Sequence, residues 1–219
     1  MNFLAGYLIG YGYLFAVILG VGFLYKRLSF SGELARKLIH ILICFTWIVL
    51  YRFFAGSPQI LVMPISFVII NALSVKYKFF AGMEREGEKQ TLGTVYYALA
   101  ITILMAISLL LEETLIPTGI AVFALSFGDG FAAIFGELFG KRSMKITKTK
   151  SLVGSLACFG FTVLGIYILS AFVPVGLSFF EVLLVALAAS ALELVGNGLD
   201  NFSITLGVTL MATLLREVA

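Results

Sequence analysis

Charged residues are scarce in this chain of 219 residues: Asp, Glu, Lys and Arg make up 12% of it, whereas 61% is apolar. An ordinary soluble domain has about 25% charged residues. So few charges cannot cover the surface of a soluble protein of this length. The composition therefore predicts an integral membrane protein and excludes a soluble domain of any size.

Cysteine is also rare, and other organising signals are missing. The two cysteines, Cys44 and Cys158, lie inside apolar runs and form no C-x-x-C pair, so neither a disulfide scaffold nor a zinc ribbon is supported. We expect both to be buried small apolar residues. The sequence has no low-complexity tract or Pro-rich linker, and the Gly-x-x-x-x-Gly-Lys-Ser/Thr loop of soluble nucleotide-binding proteins is absent.

Long apolar runs account for most of the chain. A helix needs about 20 residues to cross the ~30 Å hydrocarbon core of a bilayer. Eight candidate runs lie near residues 3–25, 34–55, 58–75, 91–111, 117–139, 152–173, 178–195 and 200–215. The sequence thus predicts an all-α polytopic membrane bundle of about eight spans, with residues 1–219 forming one transmembrane domain. The first run could be a signal peptide, but it is expected to be a retained first membrane helix. Its basic pair, Lys26 and Arg27, follows the apolar stretch, whereas in a signal peptide the basic residues precede it.

Basic residues gather in alternate connections between these runs. Four follow the first run, four the third and five the fifth, which is 13 of the 15 Lys and Arg residues. They are Lys26, Arg27, Arg36, Lys37, Lys76, Lys78, Arg85, Lys89, Lys141, Arg142, Lys145, Lys148 and Lys150. The opposite connections contain only Arg52 and Arg216. By the positive-inside rule the basic connections are cytoplasmic, so both termini are predicted to face outward.

Asp129 is the clearest candidate for a functional residue within a span. It lies halfway along the fifth run, between Gly128 and Gly130. An ionisable side chain there costs at least ~2.5 kcal/mol on insertion scales, so it needs a partner, a water-filled cavity or a function. The two glycines let a backbone, an ion or a phosphate approach closely and indicate a loosened helix. The alternative is a carboxylate paired to a lysine that only fixes helix packing.

A second candidate site lies where the fifth connection enters the sixth run. Lys148 and Lys150 precede Ser151 at a predicted helix N-terminus. Free backbone N–H groups and the helix dipole favour an anion at such a position, so we expect these residues to hold a phosphate. The three basic residues before them are more typical of a solvated flank.

Two further polar groups lie on the same predicted cytoplasmic side. Arg36, Lys37 and His40 stand at the mouth of the second run, and the spacing of four puts Arg36 and His40 on one helical face. A packed, hydrogen-bonded His40 is the simpler interpretation. Glu193 lies near the inner end of the seventh run, and Asp200 begins the eighth run as either a helix N-cap or a metal ligand.

These residues together favour phosphoryl or nucleotidyl transfer. Carboxylates that share a site repel one another unless a cation lies between them, and Mg²⁺ prefers one or two carboxylates together with phosphate oxygens. Such transfer depends on positioning and charge neutralisation more than on a covalent nucleophile. A small ion-coupled transporter with Asp129 at a broken helix is a second hypothesis. It is less favoured, because the other candidates gather at one end of the spans.

The set of motifs resembles that of the CTP-dependent lipid-alcohol kinases, namely dolichol kinase, phytol kinase and the CTP-using diacylglycerol kinase. The matching segments run from the second to the eighth apolar run. They are Arg36-Lys37-x-x-His40, Arg85-Glu86-Gly87-Glu88, Leu92-Gly93-Thr94-x-Tyr96-Tyr97, Gly128-Asp129-Gly130, Lys150-Ser151-x-x-Gly154-Ser155, and Glu193 with Asp200-Asn201. The resemblance implies transfer of the terminal phosphoryl group of CTP, with Mg²⁺, to the hydroxyl of a polyprenol, phytol or diacylglycerol at the cytoplasmic face.

The same resemblance implies roles for individual residues. Asp129 would be the chief catalytic or metal-binding carboxylate, and Lys148 and His40 would also take part in catalysis. The implied nucleotide-binding residues are Arg36, Lys37, Arg85, Thr94, Gly128, Gly130, Lys148, Lys150 and Ser151. The implied metal ligands are Asp129, Asp200, Glu193 and Asn201. No nucleic-acid partner is expected, and pairing of two copies of the chain stays open.

The related CDP-diacylglycerol synthases are the main alternative, because they also use CTP in a polytopic bundle. They end in a signature that contains Lys-Asp, Pro-Gly-His-Gly-Gly and Asp-Arg-x-Asp. The corresponding place in this chain, residues 193–201, lacks that signature. The kinase is therefore favoured over a phosphatidate cytidylyltransferase.

Overall fold

The computed structural model describes residues 2–77, 92–147, 149–196 and 199–218, apart from the side chains at 141 and 218. Within these ranges the chain is mainly α-helical and forms no β-sheet. The prediction of an all-α polytopic membrane bundle is confirmed. The chain divides into two compact units, Met1–Leu109 and Leu110–Ala219. The prediction of one domain over residues 1–219 stays a prediction.

The first unit contains five α-helices in its described part. They are α1 (Phe3–Leu28), α2 (Gly32–Leu42), α3 (Thr46–Phe54), α4 (Val62–Tyr77) and α5 (Gly93–Leu110). Close packing of α1 depends on two glycines one turn apart. A Cβ atom on Gly6 would come within 2.6 Å of Phe54 Cζ, and one on Gly10 would overlap the end of Met63. The small-residue step of α1 therefore lets neighbouring side chains approach its backbone.

The second unit is built around a short π-helical segment. This segment, Ala124–Asp129, joins α6 (Leu115–Phe123) to α7 (Gly130–Phe139), and all six of its residues are buried. It contacts α8 (Leu152–Ser170), α9 (Phe179–Val195) and α10 (Asp200–Val218). Asp129 is its last residue and thus lies where the helices of this unit converge.

The π-helical segment agrees with the loosened helix that the glycines around Asp129 predict. A π turn has one more residue than an α turn, and such turns are frequent at functional sites. Gly128 lets α8 come close: a Cβ atom there would overlap Thr162 Oγ1 and come within 3.2 Å of Cys158 Sγ. The glycine before Asp129 is therefore required by the packing of α8.

Small residues also bring α7 and α8 together next to the site. A Cβ atom on Gly154 of α8 would lie 3.2 Å from the carbonyl oxygen of Ala132 and 3.8 Å from Gly136 Cα. Interhelical approach of this kind needs small residues on both helices. It places the first turn of α8 directly beside α7.

Six helical stretches in the described part of the chain are long and apolar enough to cross a membrane. They are Phe3–Leu28, Gly32–Phe54, Pro58–Tyr77, Gly93–Leu110, Glu112–Phe139 and Leu152–Ser170. The seventh and eighth predicted runs correspond to α9 and α10. Their crossing of the bilayer, and the outward orientation of both termini, stay predictions. The expected burial of Cys44 and Cys158 as free thiols is confirmed.

The predicted orientation can be tested with single cysteines in the second unit. Lys145 and Glu113 are both exposed. We expect Lys145→Cys to react with a membrane-impermeant maleimide only from the cytoplasmic side, and Glu113→Cys only from the outside, because the basic connections stay inside. The native cysteines are buried and should give little background. Labelling of position 145 from outside in sealed cells would contradict the orientation.

Candidate active site

A charged cluster in the second unit joins one lysine to two carboxylates. Lys150 Nζ lies 2.5 Å from Glu193 Oε1 and 3.3 Å from Asp200 Oδ2. Glu193 belongs to the last turn of α9 and Asp200 to the first turn of α10, so the two carboxylates flank the connection between these helices. The structure thus brings together three of the residues that the sequence predicts for the site.

Burial differs among the members of this cluster. The Glu193 side chain is 4% exposed, whereas those of Lys150 and Asp200 are each 21% exposed. Glu193 Oε1 accepts the lysine hydrogen bond, but Glu193 Oε2 is buried and has no hydrogen-bond partner among the described residues. A buried carboxylate oxygen without a donor is costly and needs an explanation.

The ion pairs keep Lys150 charged. Burial alone would lower the pKa of this ammonium, because a desolvated charge is unfavourable. The hydrogen bond to Glu193 and the surrounding negative charges outweigh burial and raise the pKa of Lys150 above its ordinary value. Those charges belong to Glu193, Asp200 and Asp129, in decreasing order of effect. Asp129, which is 7% exposed, therefore acts on the same ammonium from the π-helical segment.

Gly196 lies directly against Asp200. The backbone N–H of Leu199 donates to the carbonyl of Gly196 at 2.5 Å. A Cβ atom on Gly196 would overlap the Asp200 carboxylate and lie 3.0 Å from Asp200 Cα. Any larger residue at 196 would therefore displace Asp200 from Lys150. Asn201, another predicted metal ligand, follows in the first turn of α10.

The N-terminus of α8 differs from the expectation of free N–H groups beside Ser151. Ser151 caps the helix, and each of the four first-turn amides donates to a protein oxygen. These pairs are Leu152 with the Met144 carbonyl (2.8 Å), Val153 with Ser143 Oγ (3.1 Å), Gly154 with Ser151 Oγ (3.3 Å) and Ser155 with the Ser151 carbonyl (3.1 Å). A phosphate bound here would therefore interact with the helix dipole and the lysines, because the backbone N–H groups of the first turn already donate to protein oxygens.

Four of the other predicted residues lie in the first unit. Arg36, Lys37 and His40 lie in α2, and Arg36 forms an ion pair with Glu33. The ring of His40 packs against that of Tyr97, with centroids 4.4 Å apart, as expected for a packed histidine. Thr94 lies in the first turn of α5 and accepts a hydrogen bond at its carbonyl.

Two predicted residues, Arg85 and Lys148, lie outside the described residues. Sequence reasoning missed Glu33, whose spacing of three from Arg36 on a helix was an available signal. It also missed the contact of Gly128 with Thr162 and Cys158, because residues on separate helices give no local signal.

The donor set of the cluster suits a hard cation more than a soft one. In the described part of the chain, no three His, Cys, Asp or Glu residues converge as a metal site. Glu193 and Asp200 nevertheless offer oxygen donors, and Mg²⁺ is commonly held by only one or two carboxylates together with substrate phosphates. The unsatisfied Glu193 Oε2 fits such a cation.

Comparison with known proteins finds related kinases. Phytol kinase 1, chloroplastic, of Arabidopsis thaliana is 30% identical over 160 residues, which cover 67% of this chain and 51% of the relative. The phytol kinase of a Synechocystis species is 28% identical over 91% of this chain and 87% of its own length. Farnesol kinase, chloroplastic, of Arabidopsis thaliana is 32% identical over 60% of this chain and 45% of the relative.

The chain spans about half the length of the Arabidopsis phytol kinase that it matches. No family model matches the chain, and no solved structure matches it. The chain belongs to the family of lipid-alcohol kinases that includes the phytol and farnesol kinases.

Proposed function

We propose that this protein is a membrane-embedded kinase that transfers the terminal phosphoryl group of CTP to the hydroxyl of a membrane lipid alcohol at the cytoplasmic face. The observation that carries the proposal is the cluster of Lys150, Glu193 and Asp200, with the charge of Asp129 acting on the same ammonium. Phosphoryl transfer is accelerated mainly by positioning and by neutralising charge. A cluster with both signs of charge beside the connection of two helices can supply both.

The acceptor that we favour is an isoprenoid alcohol. The names of the relatives, phytol kinase and farnesol kinase, support this class. Both alcohols have a single hydroxyl on a long apolar chain, which would lie among membrane-spanning helices with the hydroxyl at the polar end. Polyprenol and diacylglycerol remain acceptors to be tested.

Magnesium is the proposed cofactor, held by Asp129, Glu193, Asp200 and Asn201. When bound, it would neutralise part of the phosphate charge. Lys148 and Lys150 would bind phosphate oxygens by charge-assisted hydrogen bonds. The proposed contribution of Arg36, Lys37, His40, Arg85 and Thr94 to nucleotide binding rests on the resemblance alone.

The direct test is product analysis with purified protein. The protein is given CTP or ATP, labelled in the terminal phosphate, with phytol, farnesol, dolichol, diacylglycerol or phosphatidate. We expect a labelled isoprenoid monophosphate, made more efficiently from CTP than from ATP. Formation of a CDP-lipid from phosphatidate would instead support a cytidylyltransferase. Absence of any transfer, with ion-driven uptake in vesicles, would support a transporter.

The two lysines of the proposed phosphate site should affect nucleotide use most. Lys148→Ala and Lys150→Ala each remove a charge-assisted contact of about 1.5 to 3 kcal/mol, which corresponds to roughly 10- to 150-fold in activity at limiting nucleotide. The control is Lys145→Ala, because Lys145 is exposed and lies in the same connection. Normal activity of both variants at limiting CTP would place the phosphate contacts elsewhere.

A further inference from the structure

The Lys150 ammonium lies between Glu193 and Asp200, within 2.5 Å of Glu193 Oε1 and 3.3 Å of Asp200 Oδ2. The Lys150 backbone is held by a hydrogen bond, because the Ile146 amide donates to the Lys150 carbonyl at 3.0 Å. Its side chain, in contrast, is a flexible four-carbon stem that ends 21% exposed. Glu193 is 4% exposed on α9 and has far less freedom to move.

The Lys150 ammonium provides a partner for only one of the two Glu193 carboxylate oxygens. Lys150 Nζ is 2.5 Å from one oxygen of Glu193, but the other oxygen, Oε2, is buried and accepts no hydrogen bond within the described chain. A carboxylate oxygen in a low-dielectric surrounding strongly favours a cation or donor. A divalent cation can bind both oxygens of one carboxylate or bridge two carboxylates, which a single ammonium at one oxygen does not.

We propose that Lys150 is an exchangeable counter-ion: its ammonium holds the place between Glu193 and Asp200 until a hard divalent cation enters, and is then released. The second half of the inference rests on the proposed function, because the released ammonium would turn to the phosphates of the bound nucleotide. The exchange prevents the buried Glu193 carboxylate and the half-buried Asp200 carboxylate from facing each other without a cation. Lys150 would thus neutralise the carboxylates in the metal-free site and bind phosphate once the metal and the nucleotide are present.

The first test follows the Lys150 amine in the wild-type protein. Purified protein without nucleotide or lipid is reductively methylated in the presence or absence of millimolar Mn²⁺, and the modification of each lysine is measured by mass spectrometry. Lys150 should react slowly without the metal and several-fold faster with it, because the carboxylates then bind the metal. Exposed Lys145 is the internal control and should not change. Unchanged or slower labelling of Lys150 would overturn the proposal.

The second test measures Mn²⁺ binding directly by electron paramagnetic resonance. Lys150→Met keeps an unbranched side chain that is only one heavy atom shorter, and it removes the competing charge. We expect it to bind Mn²⁺ roughly tenfold or more tightly than the wild type, since a charge-assisted contact no longer opposes the metal. Adding Glu193→Gln to this variant should abolish the gain, and Lys145→Met should match the wild type. Equal or weaker binding by Lys150→Met would overturn the exchange.

The two tests remain distinct from the kinase assay. If Lys150 is exposed by Mn²⁺ but no lipid alcohol is phosphorylated, the exchange stands and the proposed function fails. If the protein is an active kinase but Mn²⁺ leaves Lys150 labelling unchanged, the exchange fails and Lys150 is a permanent partner of Glu193. The labelling experiment needs no variant, so poor folding of Lys150→Met would not affect it.

Discussion

Asp129→Asn is expected to abolish phosphoryl transfer while leaving the protein folded. Asparagine keeps the shape of the side chain and removes its charge. Asp129 is 7% exposed at the end of the π-helical segment, and its charge acts on Lys150. If this charge holds Mg²⁺ against the phosphates, its loss should lower activity by roughly 100-fold or more, as for other groups that stabilise charge in the transition state.

The measurement combines activity and thermal unfolding on the same preparation of Asp129→Asn. Raised Mg²⁺ should recover little activity, because a neutral amide is a poor ligand for a hard cation. A carboxylate that only fixes helix packing predicts another result. In that case the variant would unfold at lower temperature, because a buried partner charge is left uncompensated, or it would keep its activity. A stable variant with near-normal activity would remove Asp129 from the site.

Gly128→Ala should disrupt the site through packing alone. A Cβ atom at this position would overlap Thr162 Oγ1, and it would lie 3.2 Å from Cys158 Sγ and 3.3 Å from the Cys158 carbonyl oxygen. The backbone carbonyl cannot turn away, so the π-helical segment must shift relative to α8. Overpacking of a core costs about 1 to 3 kcal/mol, and the shift would move the adjoining Asp129. We expect a lower unfolding temperature and a large loss of activity.

The matched control for this variant is Gly160→Ala. Gly160 lies in α8, and a Cβ atom there would have nothing within 4 Å. Alanine is favoured over glycine within a helix by about 1 kcal/mol, so this variant should be as stable as the wild type or more so. Adding Thr162→Ala to Gly128→Ala should recover part of the lost stability, because it removes the overlapping hydroxyl. Normal stability and activity of Gly128→Ala would contradict the packing seen in the structure.

The positions of the helices follow largely from the sequence. The sixth predicted run begins at residue 152 and the eighth at residue 200, where α8 and α10 begin. Backbone groups in a bilayer must be hydrogen-bonded within the segment, so a long apolar run has no alternative to a helix. The sequence also predicted the loosened helix at Asp129, because the glycines on both sides of this residue weaken a helix locally.

The partners of Lys150 could not be predicted in the same way. The sequence places this lysine beside Ser151 and predicts a phosphate contact, but the structure places it against Glu193 and Asp200, which are 43 and 50 residues away. That contact exists because α8 packs against α9 and α9 against α10. Local spacing contains no information about the register of such packing.

Charge and apolar length therefore determined from the sequence alone that this is a helical membrane protein. They also predict that its polar residues gather at one end of the spans. Only the tertiary structure decided which of these residues meet. The physical reason is that a bilayer acts on each segment separately and selects its secondary structure by length and hydropathy. The ion pair of Lys150 and Glu193, in contrast, depends on the packing of helices that are far apart in the sequence. This packing buries the Glu193 carboxylate and leaves the Lys150 ammonium as its partner.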